Sequence, residues 1–119
     1  IFIDEIQFFT VNQIEQLRVI SISQNIEVHC YGLLNDFKTN IFEASKRLLE
    51  LCDDFKQIKT YCMMCYDRPP RLASHNLKIT KYGDSIKAVV EGESICVGGI
   101  DMYHPVCFEC YSKNTKTFT

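Results

Sequence analysis

No stretch of this sequence is apolar for long enough to cross a bilayer, and no basic lead followed by an apolar run marks a secretory route. Clustered Lys and Arg are missing too. Thirteen basic residues are spread thinly against fifteen acidic ones, for a formal net charge of -2. Broad phosphate-backbone binding needs clustered cations, so a nucleic acid polymer is not an expected partner. Low-complexity tracts, internal repeats and compositional signs of disorder are absent from the 119 residues, of which 46% are hydrophobic and 24% charged. What remains is an ordinary globular domain or a piece of a larger one, expected to be soluble and cytoplasmic.

Cysteine is the residue in excess, with seven in the chain. Four form two tight pairs, Cys62-x-x-Cys65 and Cys107-x-x-Cys110. Cys30, Cys52 and Cys96 fall singly in apolar segments, where a free thiol behaves as a small hydrophobe. Two such knuckles turn four thiolates toward one point, which satisfies tetrahedral Zn²⁺ and leaves no open position, so the expected metal is structural. The 41 residues between the knuckles exceed a compact ribbon, and the metal would clamp the base of a long loop whose own core is small. The alternatives are two disulfides or four unligated thiols, both disfavoured in an intracellular chain. Of the histidines, His29 is read as packed in or beside a strand, His75 as exposed and His104 as merely adjacent to the second knuckle.

Along the chain, "IFIDE" reads as a short buried strand. Thr10 with Gln13 forms a capping box, and Val11, Ile14, Leu17 and Ile20 carry a helix to about Ser23. "IEVHCYG" is a second strand, so the three elements make a right-handed parallel crossover, the unit of a doubly wound sheet. "GLLNDFKTN" is a functional loop at that strand's carboxyl end. "FEASKRLLELCDDF" reads as a helix with Leu48, Leu49 and Cys52 inward, and "QIKTYC" as a third strand. Beyond a boundary placed near Tyr61, Pro69-Pro70 break regular structure, and "LKITKYG" and "SIKAVVEGE" form a hairpin around Gly83. The expected organisation is residues 1–61 as an α/β core and 62–119 as a metal-bound module.

The paired acids Asp4 and Glu5 end the first strand. Such a pair stands at the magnesium-holding corner of phosphotransferases, where one acid organises the metal and a neighbour takes a proton from the nucleophile. Two solvated charges capping a strand are the plain alternative. A regular strand would turn neighbouring side chains to opposite faces, so both acids serve one site only if strand geometry ends at or just after Asp4.

The segments "FIDEIQFF", "CYGLLNDF", "FEASKRLLEL", "IKTYCMMC", "EGE" and "GGIDMYHPVCFECY", in that order, resemble the type II thymidine kinases over almost the whole chain. The resemblance implies a RecA-like P-loop α/β core, represented by its C-terminal part, followed by a small zinc-binding lasso domain. It implies a homotetramer that transfers the γ-phosphoryl of ATP to the 5′-hydroxyl of thymidine, with deoxyuridine a possible second substrate. By similarity, Asp4 organises Mg²⁺ with ATP and Glu5 is the general base. Phe8, Leu33, Phe37 and Phe42 line the thymine pocket; Ser94, Ile95, Cys96, Val97, Gly98 and Tyr103 hold the nucleoside; Cys62, Cys65, Cys107 and Cys110 bind zinc. No G-x-x-x-x-G-K-[ST] occurs in the sequence, so the phosphate loop is expected to precede Ile1. Lys78 stands where an arginine is common. Two readings from other classes are a non-catalytic zinc-ribbon interaction module and a P-loop ATPase in which Glu5 polarises water; the latter leaves Phe37 and Tyr103 without a task.

Overall fold

The computed structural model describes residues 1–66, 68–91 and 100–118. The chain divides into two compact units, Ile1–Asp36 with Asn40–Gln57, and Phe37–Thr39 with Ile58–Thr119.

In the first unit, strand β1 (Phe2–Ile3) pairs in parallel with β2 (His29–Cys30), Phe2 opposite His29 and Ile3 opposite Cys30. A 3-10 turn (Ile6–Phe8) and helix α1 (Val11–Ser23) form the crossover. The capping box is present in full: Thr10 Oγ1 accepts from Gln13 N–H at 3.1 Å while the Thr10 N–H donates to Gln13 Oε1 at 2.9 Å, satisfying two of the helix's orphan donors. The helix stops at a C-cap Gln24 followed by Asn25 in the left-handed region (φ 51°), a conformation asparagine tolerates. Ile14 on α1 is 1% exposed against Ile6 and Ala44, with Ile3, Leu17, Cys30, Leu48 and Leu51 packed around them. Burying that one side chain stabilises the unit by roughly 1.5–3 kcal/mol. Helix α2 (Glu43–Leu51) supplies Ala44 and Ser45 to the buried side.

Several expectations change here. The first strand is two residues long and its Phe2 is 75% exposed, stacked on the exposed His29 ring at 4.9 Å, so neither residue is core in this unit. On α2, Leu48 faces inward but Leu49 is exposed, because the turn that meets α1 is carried by Ala44 and Leu48, one residue off the predicted stripe. Cys52 caps the helix and is half-buried, donating to the Leu49 carbonyl oxygen at 3.5 Å. "QIKTYC" forms no strand. Only Tyr61 makes a bridge, to Leu72, since the segment finds a single short partner and no ladder.

In the second unit, β3 (His75–Tyr82) is central in an antiparallel sheet of order β4-β3-β5, between β4 (Ser85–Val89) and β5 (Ile100–Val106). The predicted hairpin is β3–β4, with Tyr82 opposite Ser85 and Gly83 (φ 55°) as the first residue of the two-residue turn, where glycine carries no Cβ penalty. Strand β5 and helix α3 (Phe108–Thr115) extend the predicted module. Leu77, Ile79, Val106, Cys107, Cys110 and Tyr111 form its core. His75, expected to be exposed, is half-buried between the rings of Phe108 (5.0 Å) and Tyr111 (5.5 Å), and burial holds its pKa below the ordinary value.

Candidate functional site

At the end of β1 the backbone leaves strand geometry at once. Asp4 is a bend, and Glu5 lies in the left-handed region (φ 55°, ψ 42°) as the N-cap of the 3-10 turn. A non-glycine residue there is uncommon and marks a position whose surroundings impose the geometry. The imposition is visible: Tyr31 N–H donates to the Ile3 carbonyl (2.8 Å) and Ile6 N–H to the Tyr31 carbonyl (3.0 Å), so the chain is pinned on both sides of the two acids. Asp4 Oδ1 accepts from the Glu5 N–H at 2.8 Å, and both acids are exposed. Strand geometry ends at Ile3, ahead of both acids, and the left-handed residue falls at Glu5.

Gln7, which sequence reasoning did not single out, links the acid to the loop after β2. Its side chain is 4% exposed; Nε2 donates to Glu5 Oε2 at 2.5 Å and Oε1 accepts from the Leu33 N–H at 3.1 Å. The Leu33 carbonyl in turn accepts from the buried Ser45 hydroxyl at 2.6 Å. A buried amide with both ends satisfied is a rigid spacer. Gly32 permits it, since a Cβ there would stand 2.4 Å from Gln7 Oε1 and 2.9 Å from Ile6 Cγ2. The only advance signal was the position of this amide directly behind the paired acids.

The predicted pocket residues fall into two groups. Phe8 and Phe42 meet edge-to-face with centroids 6.1 Å apart, and Phe8 is 72% exposed, an apolar surface left open to solvent beside Glu5 in sequence. Leu33, exposed on the loop, belongs to the same unit. Phe37 groups with the second unit, where Tyr111 Oη donates to its carbonyl oxygen at 2.6 Å and Lys78 Nζ sits 4.8 Å from its ring centroid. Lys78 is opposite Tyr103 in the β3–β5 register, 5.7 Å from that ring, and is only 3% exposed. An ammonium between two aromatic faces is favourable by cation–π attraction, more so where water is excluded. Ser94, Ile95, Cys96, Val97 and Gly98 lie outside the described residues.

The four knuckle cysteines converge. The sulfurs of Cys62, Cys65, Cys107 and Cys110 all lie within 4.8 Å of one another, and Cys65 Sγ is 3.8 Å from both Cys107 Sγ and Cys110 Sγ. Four sulfurs at Zn–S lengths of roughly 2.3 Å would be about 3.8 Å apart along each edge of a tetrahedron. The donor set therefore fits Zn²⁺. Local backbone bonds assemble it: Cys62 N–H donates to the Arg71 carbonyl (2.8 Å), Ala73 N–H to Thr60 (2.8 Å) and Met63 N–H to Pro105 (2.9 Å), drawing the first knuckle to the end of β5. Cys107 is the N-cap of α3 and Cys110 sits in its first turn, at the positive end of the helix. Burial pushes the Cys110 thiol up to about 12, whereas Cys107, though burial opposes it, is brought down to about 7 by the Cys110 amide and the surrounding thiols. A site with one acidic thiol takes up a metal with release of the remaining protons.

A charged layer lies against these sulfurs. Arg68 Nη2 donates to Cys110 Sγ at 3.2 Å and Nη1 to Glu109 Oε2 at 2.9 Å. Lys113 at 3.0 Å and Arg71 at 2.5 Å also reach Glu109, whose carboxyl is held down at about 2, first by Lys113 and then by Arg68. Neither Arg68 nor Glu109 was predicted.

The thymidine kinase family profile matches residues 1–111. A thymidine kinase of Encephalitozoon cuniculi is 41% identical over 117 residues, covering 97% of this chain and 51% of that protein. One from Shouchella clausii is 37% identical over 111 residues (93% and 54%), and one from Listeria monocytogenes is 38% identical over 112 residues (94% and 55%). The chain spans about half the length of the curated relatives it matches. No helix among the described residues is long and apolar enough to cross a membrane. Because the profile matches residues 1–111 of the 119 in this chain, the chain belongs to the thymidine kinase family.

Proposed function

We propose that the protein containing this chain transfers the γ-phosphoryl of ATP to the 5′-hydroxyl of thymidine. The observation that carries the reading is the left-handed turn at Glu5, which separates two adjacent carboxylates at the carboxyl end of β1, the edge where open α/β sheets bind ligands. Asp4 then organises the Mg²⁺ that accompanies ATP, and Glu5 accepts the proton of the 5′-hydroxyl as it attacks. Phosphoryl transfer depends mainly on positioning and charge neutralisation, so a fixed base and a metal-orienting acid are what this side of the site must supply.

Phe8, Leu33, Phe37 and Phe42 provide apolar surface for the thymine ring; Tyr103 and the main chain of Ser94 to Gly98 hold the nucleoside from the lasso. The 1–61 segment is read as part of a RecA-like P-loop core and 62–119 as the lasso domain. Zn²⁺ bound by Cys62, Cys65, Cys107 and Cys110 is structural: four thiolates occupy every position, and its contribution is to join the two ends of a long loop. No G-x-x-x-x-G-K-[ST] phosphate-loop motif occurs in this sequence. A cytoplasmic homotetramer is the assembly this family membership favours.

The test is a transfer assay on the full-length protein with γ-labelled ATP, Mg²⁺ and thymidine. Label appearing in thymidine 5′-monophosphate is the expected result. Phosphate released at the same rate with and without thymidine would favour the ATPase reading, and neither product would favour a non-catalytic zinc module.

A further inference from the structure

The charges around the cysteine cluster are matched to a metal-loaded site and not to four neutral thiols. Zn²⁺ with four thiolates carries a net charge of -2. Against it stand Arg68, Arg71 and Lys113, all paired to the single carboxylate of Glu109, which leaves a surplus of two positive charges among these described residues. Arg68 is the member of this group that touches sulfur, and Glu109, two residues beyond Cys107, is what aims it. The Arg68 Nε is buried with no hydrogen-bond partner among the described residues, a donor left unsatisfied at some energetic cost. The head group thus faces Glu109 and the Cys110 sulfur, with the Cys65 sulfur also acting on it.

We propose that Arg68, oriented by Glu109, is a positioning residue of the metal centre: its hydrogen bond to Cys110 Sγ retains the metal and shields that one thiolate from electrophiles. The inference rests on the zinc reading above. Its physical basis is that a charged donor withdraws electron density from the thiolate, which makes the sulfur a poorer base and a poorer nucleophile, and both protonation and alkylation of sulfur precede loss of the metal. Partners one layer outside metal ligands commonly account for 10–100-fold in metal affinity. Among the described residues Arg71 and Lys113 reach the Glu109 carboxylate and no sulfur, so their loss is expected to matter less.

The experiment uses the full-length, zinc-loaded protein and its Arg68→Met, Arg68→Lys and Glu109→Gln variants. Two quantities are read: the rate of zinc transfer to a chromophoric chelator, and, by peptide mass mapping, which cysteine iodoacetamide alkylates first. In that reaction the sulfur displaces iodide and forms the C–S bond. Arg68→Met is expected to release zinc about tenfold faster or more, with Cys110 becoming the first cysteine modified. Arg68→Lys, keeping the charge without the fork, should fall between, and adding Glu109→Gln to Arg68→Met should have little further effect. A merely structural ion pair would lower thermal stability without redirecting alkylation to Cys110. Unchanged release and an unchanged order of modification in folded, loaded Arg68→Met would overturn the proposal while leaving the zinc reading intact. Wild-type protein without zinc would overturn both. If Arg68→Met does not accumulate, Glu109→Gln decides by the same two readouts.

Discussion

Cys65 Sγ and Cys107 Sγ stand 3.8 Å apart although 42 positions separate them in the chain. Between them lie β3, β4 and β5, whose sheet, among the described residues, otherwise rests on its strand pairing and on a buried core of Leu77, Ile79, Val106 and Tyr111. The cluster is where the two ends of the module are joined.

One zinc per chain is therefore the expected stoichiometry, and its removal should cost the module its fold before it slows any chemical step. Elemental analysis of the full-length, reduced protein checks the first part. Near-ultraviolet circular dichroism after chelation checks the second. A Cys107→Ser variant whose tyrosine signals matched those of wild type would contradict the structural role.

The local signals in the sequence were those that need few partners. Thr10 and Gln13 specify a cap within one turn, alternation around Gly83 specifies a hairpin, and the knuckle spacing brings four sulfurs together once a sheet lies between them. The parts that could not be read ahead depend on distant chain. "QIKTYC" alternates like a strand, yet a strand exists only with a partner along its length, and Tyr61 finds one residue. "IDMYHPV" carries a proline and little apolar periodicity, but pairs along β3 for seven residues. Lys78 looks like an exposed basic residue until Phe37 and Tyr103 are placed against it, and Gln7 looks like a polar spacer until Gly32 lets Leu33 approach.

Loss of the helix cap has a defined size. Thr10→Ala removes the acceptor for the Gln13 N–H and is expected to destabilise the protein by about 1 kcal/mol. Urea unfolding with an unchanged m-value measures it. Restoration by Thr10→Ser would separate the cap from any contact of the threonine methyl group.

Phe37→Ala should raise the thymidine KM on the order of tenfold, about 1.4 kcal/mol, with the ATP KM little altered, because it removes apolar surface and touches no phosphate. The carbonyl that Tyr111 binds is main chain and survives the substitution. Equal effects on both substrates would assign Phe37 to folding.

His75 contributes a pH dependence of known sign. Its environment is the Phe108 and Tyr111 rings and the Ser74 hydroxyl 2.7 Å from Nδ1, and burial lowers its pKa in the folded state. The unfolded chain then binds the proton more readily than the folded one, so stability is full above the unfolded value of about 6.5 and declines as pH falls through the folded pKa. Melting temperatures of wild type and His75→Gln, compared from pH 7.5 to 5, should converge or cross as the pH drops. Curves that stay parallel would show that His75 is not the group responsible.

The most direct measurement concerns Glu5. In the full-length protein, Glu5→Gln keeps the size of the side chain and loses its basicity. It should lower kcat by about 10²- to 10⁴-fold, the usual share of general-base catalysis, while the equilibrium affinity for thymidine, measured by calorimetry, stays near wild type. Asp4→Asn should instead shift the Mg²⁺ concentration the reaction requires. A Glu5→Gln enzyme that binds thymidine normally and phosphorylates it at close to the wild-type rate would contradict the account, and the left-handed turn after Asp4 would then be no more than the end of a strand.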